Sequence, residues 1–156
     1  MHLAHNYESP IGIIVITSDG TCITSLDFSE RPVEEQDESS IFDAADRWLD
    51  AYFEGKDPGP IPPVKMEGTD FRMDIWHILL TIPYGHTVSY GDVARMYCKM
   101  TDKANMSAQA VGNAVGHNPI VIMVPCHRVI GNDGSLIGYA GGLERKRFLL
   151  DLESKH

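Results

Sequence analysis

Cysteine is scarce in this chain, whose 156 residues include three: Cys22, Cys98 and Cys126. Three scattered cysteines are too few for a disulfide framework. Their scarcity excludes a small disulfide-stapled fold and predicts a reducing compartment, in which Cys126 stays a free thiol. Free cysteines are most often small core residues, and this is the interpretation we give to Cys22, whereas Cys98 is interpreted as a bystander near a helix end.

Long apolar runs are also missing from the chain. No stretch approaches the length of a membrane span, and the first residues lack the pattern of a signal peptide. We therefore expect a soluble, cytoplasmic protein that has no membrane partner. At this length the chain forms one compact domain or two small ones.

Basic residues are few in the first part of the chain. Residues 1–63 carry 13 acids and 3 bases, whereas residues 64–156 carry 9 acids and 10 bases. The formal net charge of −9 is therefore an N-terminal property. The near-neutral second part can approach phosphate, but it lacks a strongly basic patch. Charge alone leaves the partner open.

The N-terminal part has the pattern of a small sheet followed by a helix. Two apolar segments, residues 11–17 and 22–28, flank an Asp-Gly turn that is typical of a hairpin. An apolar stripe with helical spacing across residues 41–53 predicts one helix. Because a proline-rich connector follows, we predict two domains, at residues 1–63 and 64–156.

The second part has the pattern of capped helices. Thr69, Ser89 and Ser107 each precede a segment of helical character and can cap it. The last two segments form a candidate helix-turn-helix. The helix after Ser107 is rich in alanine and glycine, although glycine inside a helix costs about 1 kcal/mol relative to alanine. Two explanations stay open: tight packing against another helix, or close approach to a nucleic-acid backbone.

Cys126 lies between a proline and a histidine, at the end of an apolar run, residues 120–124, that we interpret as a buried strand. Pro125 fixes its own φ and lacks an N–H, so it ends regular pairing and places the thiol on a turn. His127 follows directly and is able to accept the thiol proton. Taken alone the pair is weak evidence, because reactivity depends on thiolate stabilisation and access.

Four ordered motifs carry a resemblance to a known family. They are residues 82–91 (IPYGHTVSYG), 110–119 (AVGNAVGHNP), 124–130 (VPCHRVI) and 138–143 (GYAGGL). Together they resemble the O6-alkylguanine-DNA alkyltransferases, also called methylated-DNA–protein-cysteine methyltransferases. The resemblance implies an α+β fold: a small N-terminal ribonuclease-H-like α/β domain, then a mostly helical C-terminal domain with a winged-helix-like helix-turn-helix.

The resemblance also implies an activity, which is DNA repair by direct damage reversal. The alkyl group of O6-alkylguanine, or of O4-alkylthymine, moves irreversibly from double-stranded DNA to Cys126 in a single turnover. The target base is flipped out of the duplex to reach the thiol. The protein is expected to bind the minor groove as a monomer, without a cofactor.

Individual roles follow from the same match. Cys126 is the implied acceptor, His127 its base, and Glu153 the distal member, joined to the histidine through a water. Tyr90 is the implied partner of guanine N3, and Asn118 is expected to brace the active-site turn. The implied DNA- and base-binding residues are Ser89, Ala108, Gln109, Ala110, Arg128, Val129, Tyr139, Ala140 and Gly141. For Arg128 an internal bracing role is favoured over a DNA contact.

Two features depart from the family pattern. Many members carry an arginine where this chain has Gln109, which is shorter in reach and uncharged. We expect weaker DNA affinity or slower base flipping, with the chemistry intact. Some members bind zinc in the N-terminal domain, but Asp19 and Thr24 stand at the matching positions here. Because no Cys/His set has zinc-like spacing, we predict no metal.

Three alternatives are weighed against this interpretation. An alkyltransferase-like protein would recognise lesions with the same fold but lacks the acceptor cysteine, so Cys126 argues against it. A helix-turn-helix regulator would leave the Cys-His-Glu arrangement unexplained. A thiol hydrolase or redox enzyme is disfavoured because no resolving cysteine is nearby in sequence.

Overall fold

The N-terminal part folds as a three-stranded antiparallel sheet in the computed structural model, which describes residues 2–155. Its strands are β1 (Leu3–Ser9), β2 (Gly12–Ser18) and β3 (Ile23–Phe28), paired in that order. The predicted hairpin is the pair β2 and β3, and it is confirmed. Strand β1 was not predicted, because its polar, half-buried residues do not alternate with apolar ones.

Helix α1 (Ser40–Phe53) is confirmed and packs on this sheet. Its buried face consists of six residues at helical spacing: Ile41, Phe42, Ala45, Trp48, Leu49 and Tyr52. The face extends into the last turn of the helix, where Tyr52 is fully buried. This placement brings Tyr52 to the functional site.

The free edge of β3 joins the two parts of the chain. The Ile23 amide donates to the Pro63 carbonyl at 2.8 Å, and the Lys65 amide returns a bond to the Ile23 carbonyl at 2.8 Å. Further along the strand, Leu26 exchanges backbone hydrogen bonds with Pro119 and Val121, both at 2.9 Å. Pairing covers an edge that would otherwise expose unsatisfied backbone groups. Buried apolar residues from both parts therefore form one core.

The described residues of the second part contain four α-helices and a short parallel ladder. Helices α2 (Asp70–Leu79), α3 (Tyr90–Thr101) and α4 (Ala108–Gly116) begin after the predicted caps, whose side chains accept backbone N–H groups. Strands β4 (Val88–Ser89) and β5 (Val129–Ile130) pair in parallel. A last helix, α5 (Leu143–Ser154), follows a long loop. The α3–α4 pair is the expected helix-turn-helix.

The apolar run before Cys126 is not a strand, so that prediction is wrong. Residues 121–124 form buried turns, and Ile120 makes a single bridge with Leu26. Ile122 adopts a φ of 71°, which is rare for a β-branched residue and incompatible with an extended strand. A short, continuously apolar run indicates burial, but its periodicity does not distinguish a strand from buried turns.

Within residues 2–155, no helix is both long and apolar enough to cross a membrane.

Candidate active site

Cys126 opens a 3₁₀ turn (Cys126–Arg128) and its side chain is buried, with 5 % exposed. The side chain of Asn118 holds this turn from both sides: its Nδ2 donates to the Val124 carbonyl at 2.7 Å, and its Oδ1 accepts from the Ile120 amide at 2.9 Å. Asn118 itself is buried. A single amide thus closes the buried turns and fixes the backbone that presents the thiol.

Burial raises the pKa of the Cys126 thiol to about 11, and the negative charge of Asp27 acts in the same direction. A hydrogen bond from the Asn118 side chain and the positive charge of Lys146 oppose this rise. In the free protein Cys126 is therefore a neutral thiol. Because only the thiolate is a strong nucleophile, the site needs a base to take the proton.

That base is available in a buried imidazole–carboxylate pair. His127 Nε2 lies 2.6 Å from Glu153 Oε2, and the two side chains are 0 % and 1 % exposed. The expectation of a water between them is wrong: at this distance they are bonded directly. His127 Nδ1 is buried and has no hydrogen-bond partner among the described residues. Burial lowers the pKa of His127, while Glu153 acts to raise it.

Glu153 is held ionised by a full set of donors. Oε1 accepts from the Gly85 amide at 3.0 Å and from Arg128 Nε at 2.8 Å, and Oε2 accepts from Tyr52 Oη at 2.5 Å. Despite burial, these bonds and His127 keep the pKa of Glu153 well below its usual value. Because the carboxylate can only accept, neutral His127 carries its proton on Nε2 and keeps Nδ1 free as the basic atom.

Arg128 belongs to this cluster and not to a DNA-binding surface, so its place among the base-binding residues is wrong. It is 8 % exposed, and its Nη1 donates to the Ile82 carbonyl at 2.8 Å while Nε and Nη2 contact Glu153. A buried guanidinium paired in this way is a structural brace. The favoured bracing interpretation agrees with the geometry.

Two residues of the site escaped the sequence analysis. Tyr52 lies in the apolar stripe of α1, and its spacing in the sequence is the same as that of a core aromatic residue. Lys146 is 0 % exposed although it is charged. The sequence could have indicated that Lys146 is buried, because it shares one face of α5 with Leu149 and Glu153. All three residues are buried.

Lys146 and Tyr90 hold the loop between β5 and α5. Lys146 Nζ donates to the Val129 carbonyl at 2.5 Å and to the Ile137 carbonyl at 2.8 Å. Tyr90 Oη donates to the carbonyls of Ile137 and Gly138, both at 3.1 Å. Burial lowers the pKa of Lys146 to about 8. The tyrosine hydroxyl expected to serve guanine is therefore occupied by loop carbonyls in the free protein.

A small cavity of about 40 Å³ adjoins the thiol. Its lining residues come from β3, the end of α4, the acceptor turn and the loop, namely Asp27, Val115, Gly116, Asn118, Val121, Cys126, Gly138, Tyr139 and Ala140. Tyr139 Oη is buried without a hydrogen-bond partner in the described part of the chain. Gly141, which closes the loop, packs against the Tyr139 and Phe28 rings.

An open groove of about 380 Å³ runs between α4 and the loop. It is lined by Tyr90, Ala108, Gln109, Gly112, Gly131, Asn132, Ile137 and Gly138. Ala108 and Gln109 are exposed at the start of α4, and Ala110 is half-buried. The Ser89 hydroxyl oxygen accepts from the Asp92 amide and caps α3, with which it forms a capping box.

The glycines of α4 are not required by packing within the protein. A Cβ built on Gly112 lies 3.8 Å from the Tyr90 ring, an ordinary contact, and one built on Gly116 meets no described atom within 4 Å. Of the two explanations for the small residues, tight helix packing is therefore wrong at these positions. The other explanation, close approach to a nucleic-acid backbone, stays a prediction.

The described residues contain no group of three or more His, Cys, Asp and Glu side chains that could hold a metal ion. The three cysteines are free thiols.

Fold and site together define a class: helix-turn-helix proteins with a buried thiol next in sequence to a buried imidazole–carboxylate pair. Residues 3–59 match the ribonuclease-like domain of 6-O-methylguanine DNA methyltransferase, and residues 70–155 match its DNA-binding domain. The chain therefore belongs to the 6-O-methylguanine DNA methyltransferase family.

Known proteins are similar in sequence to nearly the whole chain. A methylated-DNA–protein-cysteine methyltransferase of Mycobacterium tuberculosis is 44 % identical over 94 % of this chain and 88 % of its own length. A protein of the same name from Methanosarcina barkeri is 41 % identical over 96 % of this chain and 95 % of its own. The crystal structure of Mycobacterium tuberculosis OGT in complex with DNA matches with a TM-score of 0.86 at 42 % identity, covering 97 % and 92 % of the two chains.

Proposed function

We propose that this protein repairs double-stranded DNA by transferring the alkyl group of O6-alkylguanine, and of O4-alkylthymine, to Sγ of Cys126. The observation that carries the proposal is the buried thiol next in sequence to a histidine whose Nε2 is committed to Glu153. Every residue of this cluster comes from one chain, which supports action as a monomer. The relatives named above carry the corresponding activity in their names.

The reaction needs the thiol proton to leave Cys126. In the proposed mechanism it passes to His127 Nδ1, and Glu153 stabilises the imidazolium that forms. The thiolate attacks the alkyl carbon in line with the bond to O6. The sulfur–carbon bond forms as the carbon–oxygen bond breaks; the departing guanine takes up one proton, and the His127 imidazolium gives up the proton that it took from the thiol, so the histidine returns to its neutral form. The products are S-alkylcysteine and neutral guanine, so the protein acts once and is consumed.

The alkylated base must leave the duplex to reach the buried thiol. A cavity needs about 10–15 Å³ to hold one water molecule, so the cavity of about 40 Å³ beside Cys126 has space for only a few small groups. It has room for a small alkyl group but not for a purine. In the proposal the loop holding Tyr139, Ala140 and Gly141 therefore moves when the base enters. That movement breaks the Tyr90 bonds to Ile137 and Gly138 and frees the hydroxyl for guanine.

The groove beside α4 is the proposed DNA interface. In this arrangement α4 lies in the minor groove with Ala108, Ala110 and Gly112 against the backbone, and Ser89 lies near a phosphate. Gln109 fills the space left by the flipped base. Backbone-dominated contacts there carry little sequence information, as suits a protein that must inspect every sequence. The Val129 carbonyl, already bonded to Lys146, is a proposed acceptor for the guanine amino group.

The test is the intact mass of the protein after incubation with duplex DNA containing one O6-methylguanine. We expect one added methylene per chain, located on Cys126, with no further turnover when DNA is in excess. Cys126→Ala is expected to bind the same DNA and gain no mass. DNA binding by the unaltered protein without an adduct would favour the alternative, lesion recognition without transfer.

A further inference from the structure

We infer that Tyr52 is a positioning residue for the acid–base pair, through which the N-terminal part of the chain controls the basicity of His127. Its hydroxyl lies 2.5 Å from Glu153 Oε2 and 3.4 Å from His127 Nε2. The same carboxylate oxygen is thus shared between the phenol and the imidazole. This inference rests on the proposed function. It adds a residue from outside residues 64–156 that sets the basicity of His127.

The ring of Tyr52 is fixed by packing and cannot swing away. It is 0 % exposed and stacks on Trp48, with centroids 5.4 Å apart and planes inclined by 11°. Its edges meet Phe53, Tyr84 and His127 at steep interplanar angles. Two of these four rings, Trp48 and Phe53, belong to α1 and the other two lie in the second part of the chain, so packing from both parts sets the position of the hydroxyl.

The direction of the hydrogen bond is settled by charge. Burial and the charge of Glu153 raise the pKa of Tyr52 far above its usual value, so the phenol is neutral and donates. Glu153, held ionised by Arg128 and the Gly85 amide, accepts. A donor on Oε2 withdraws charge from the oxygen that would otherwise stabilise the imidazolium. Tyr52 therefore makes His127 a weaker base, and one that stays neutral over a wider pH range.

The other charged groups around His127 come from α5 and the acceptor turn. Glu153 favours its protonation, whereas Arg128 and Lys146 oppose it. Tyr84 packs on Tyr52 and under the Arg128 guanidinium and belongs to the same surroundings. A change confined to the Tyr52 hydroxyl leaves all of these groups in place, so its effect on His127 can be isolated.

Tyr52→Phe removes the hydroxyl and keeps the ring. We expect the acid limb of the pH–rate profile for methyl transfer to move upward by at least half a pH unit. The variant is then about threefold slower below the midpoint of that limb and approaches the unaltered protein above it. The histidine resonances of His127 should titrate with the same displacement.

The matched control is Tyr97→Phe. Tyr97 is also buried, and its hydroxyl accepts a hydrogen bond from Lys103 Nζ at 3.1 Å, but it lies on α3 and not beside the turn Cys126–Arg128. This variant should keep the original pH profile.

The outcomes separate the two proposals. If Tyr52→Phe lowers the rate equally at every pH, or only lowers thermal stability, Tyr52 is a structural residue and the inference is wrong. An unchanged profile overturns it as well. If instead the unaltered protein transfers no methyl group at any pH, the proposed function fails, whatever the variants do.

Discussion

Two regions of the molecule differ in their exposure to solvent. The acceptor cluster, by which we mean Cys126, His127 and Glu153, is buried, whereas the groove beside α4 is open. In the cluster, Cys126, His127 and Glu153 are buried, and the carboxylate has a donor at every side. At the start of α4, Ala108 and Gln109 are exposed and present little side-chain chemistry. The reacting groups are therefore preorganised inside the protein, whereas the proposed recognition surface leaves space for its partner.

The difference reflects what each region must do. A buried ion pair is tolerated only with complete hydrogen bonding, and in return its geometry does not depend on solvent or salt. A surface that reads DNA backbone has to admit phosphates and sugars closely, so small side chains serve it better than long ones. Changes in the cluster should accordingly affect chemistry and folding together, whereas changes at the exposed positions of α4 should act on DNA binding and leave the chemistry of the thiol intact.

The largest effect is expected from Glu153→Gln, which keeps the shape of the side chain and removes its charge. Arg128 is left as an uncompensated buried charge, which costs about 3 kcal/mol of unfolding free energy or more. The imidazolium of His127 also loses its partner, so methyl transfer should slow by roughly 100-fold. Urea denaturation and single-turnover rates measure the two effects. Glu144→Gln, an exposed change in the first turn of α5, is the control.

The same variant tests the acid dependence of stability. Because the pKa of Glu153 in the fold lies well below its ordinary value of 4.5, the unfolded chain binds the proton more readily. The contribution of Glu153 to stability is thus complete above that value and is lost as the pH falls below it. Glu153→Gln should be less stable at neutral pH, with a smaller further loss on acidification. An equal acid loss in both proteins would contradict the assignment.

Local signals in the sequence were sufficient for much of the fold. Thr69, Ser89 and Ser107 mark helix starts because capping depends on neighbours a few residues away. The run at residues 120–124 failed as a strand because the turns there are imposed by the Asn118 side chain and Pro125, not by periodicity.

For the candidate site, too, the sequence was sufficient for some residues and not for others. Cys126 and His127 were found because they are adjacent in a motif, and Glu153 through the family resemblance. Tyr52 was missed because its contact with Glu153 joins residues that are 101 positions apart. A phenol on an apolar helix face has the same pattern whether it fills a core or bonds a carboxylate. Only the tertiary fold distinguishes the two.

A smaller effect, confined to DNA binding, is expected from Gln109→Arg. The exposed side chain gains a charge and reach in the open groove, so DNA affinity should rise by about fivefold, or about 1 kcal/mol, with a steeper salt dependence. Thermal stability should not change. Binding titrations at several salt concentrations measure this. Thr21→Arg, an exposed change in the turn between β2 and β3, controls for charge alone; equal gains from both variants would remove Gln109 from the interface.

The smallest effect is expected from Gly112→Ala, and it has opposite signs in the two assays. The added methyl makes an ordinary contact with Tyr90 and improves helix propensity, so unfolding free energy should rise by about 0.5–1 kcal/mol. The same methyl enters the groove and holds the DNA backbone away, so affinity should fall by about twofold, a fraction of 1 kcal/mol. Asn113→Ala is the control, with a gain in stability and no loss of affinity.

A destabilised Gly112→Ala would mean that the glycine serves packing after all. A stabilised variant that binds DNA unchanged would mean that the groove is not the DNA-facing surface.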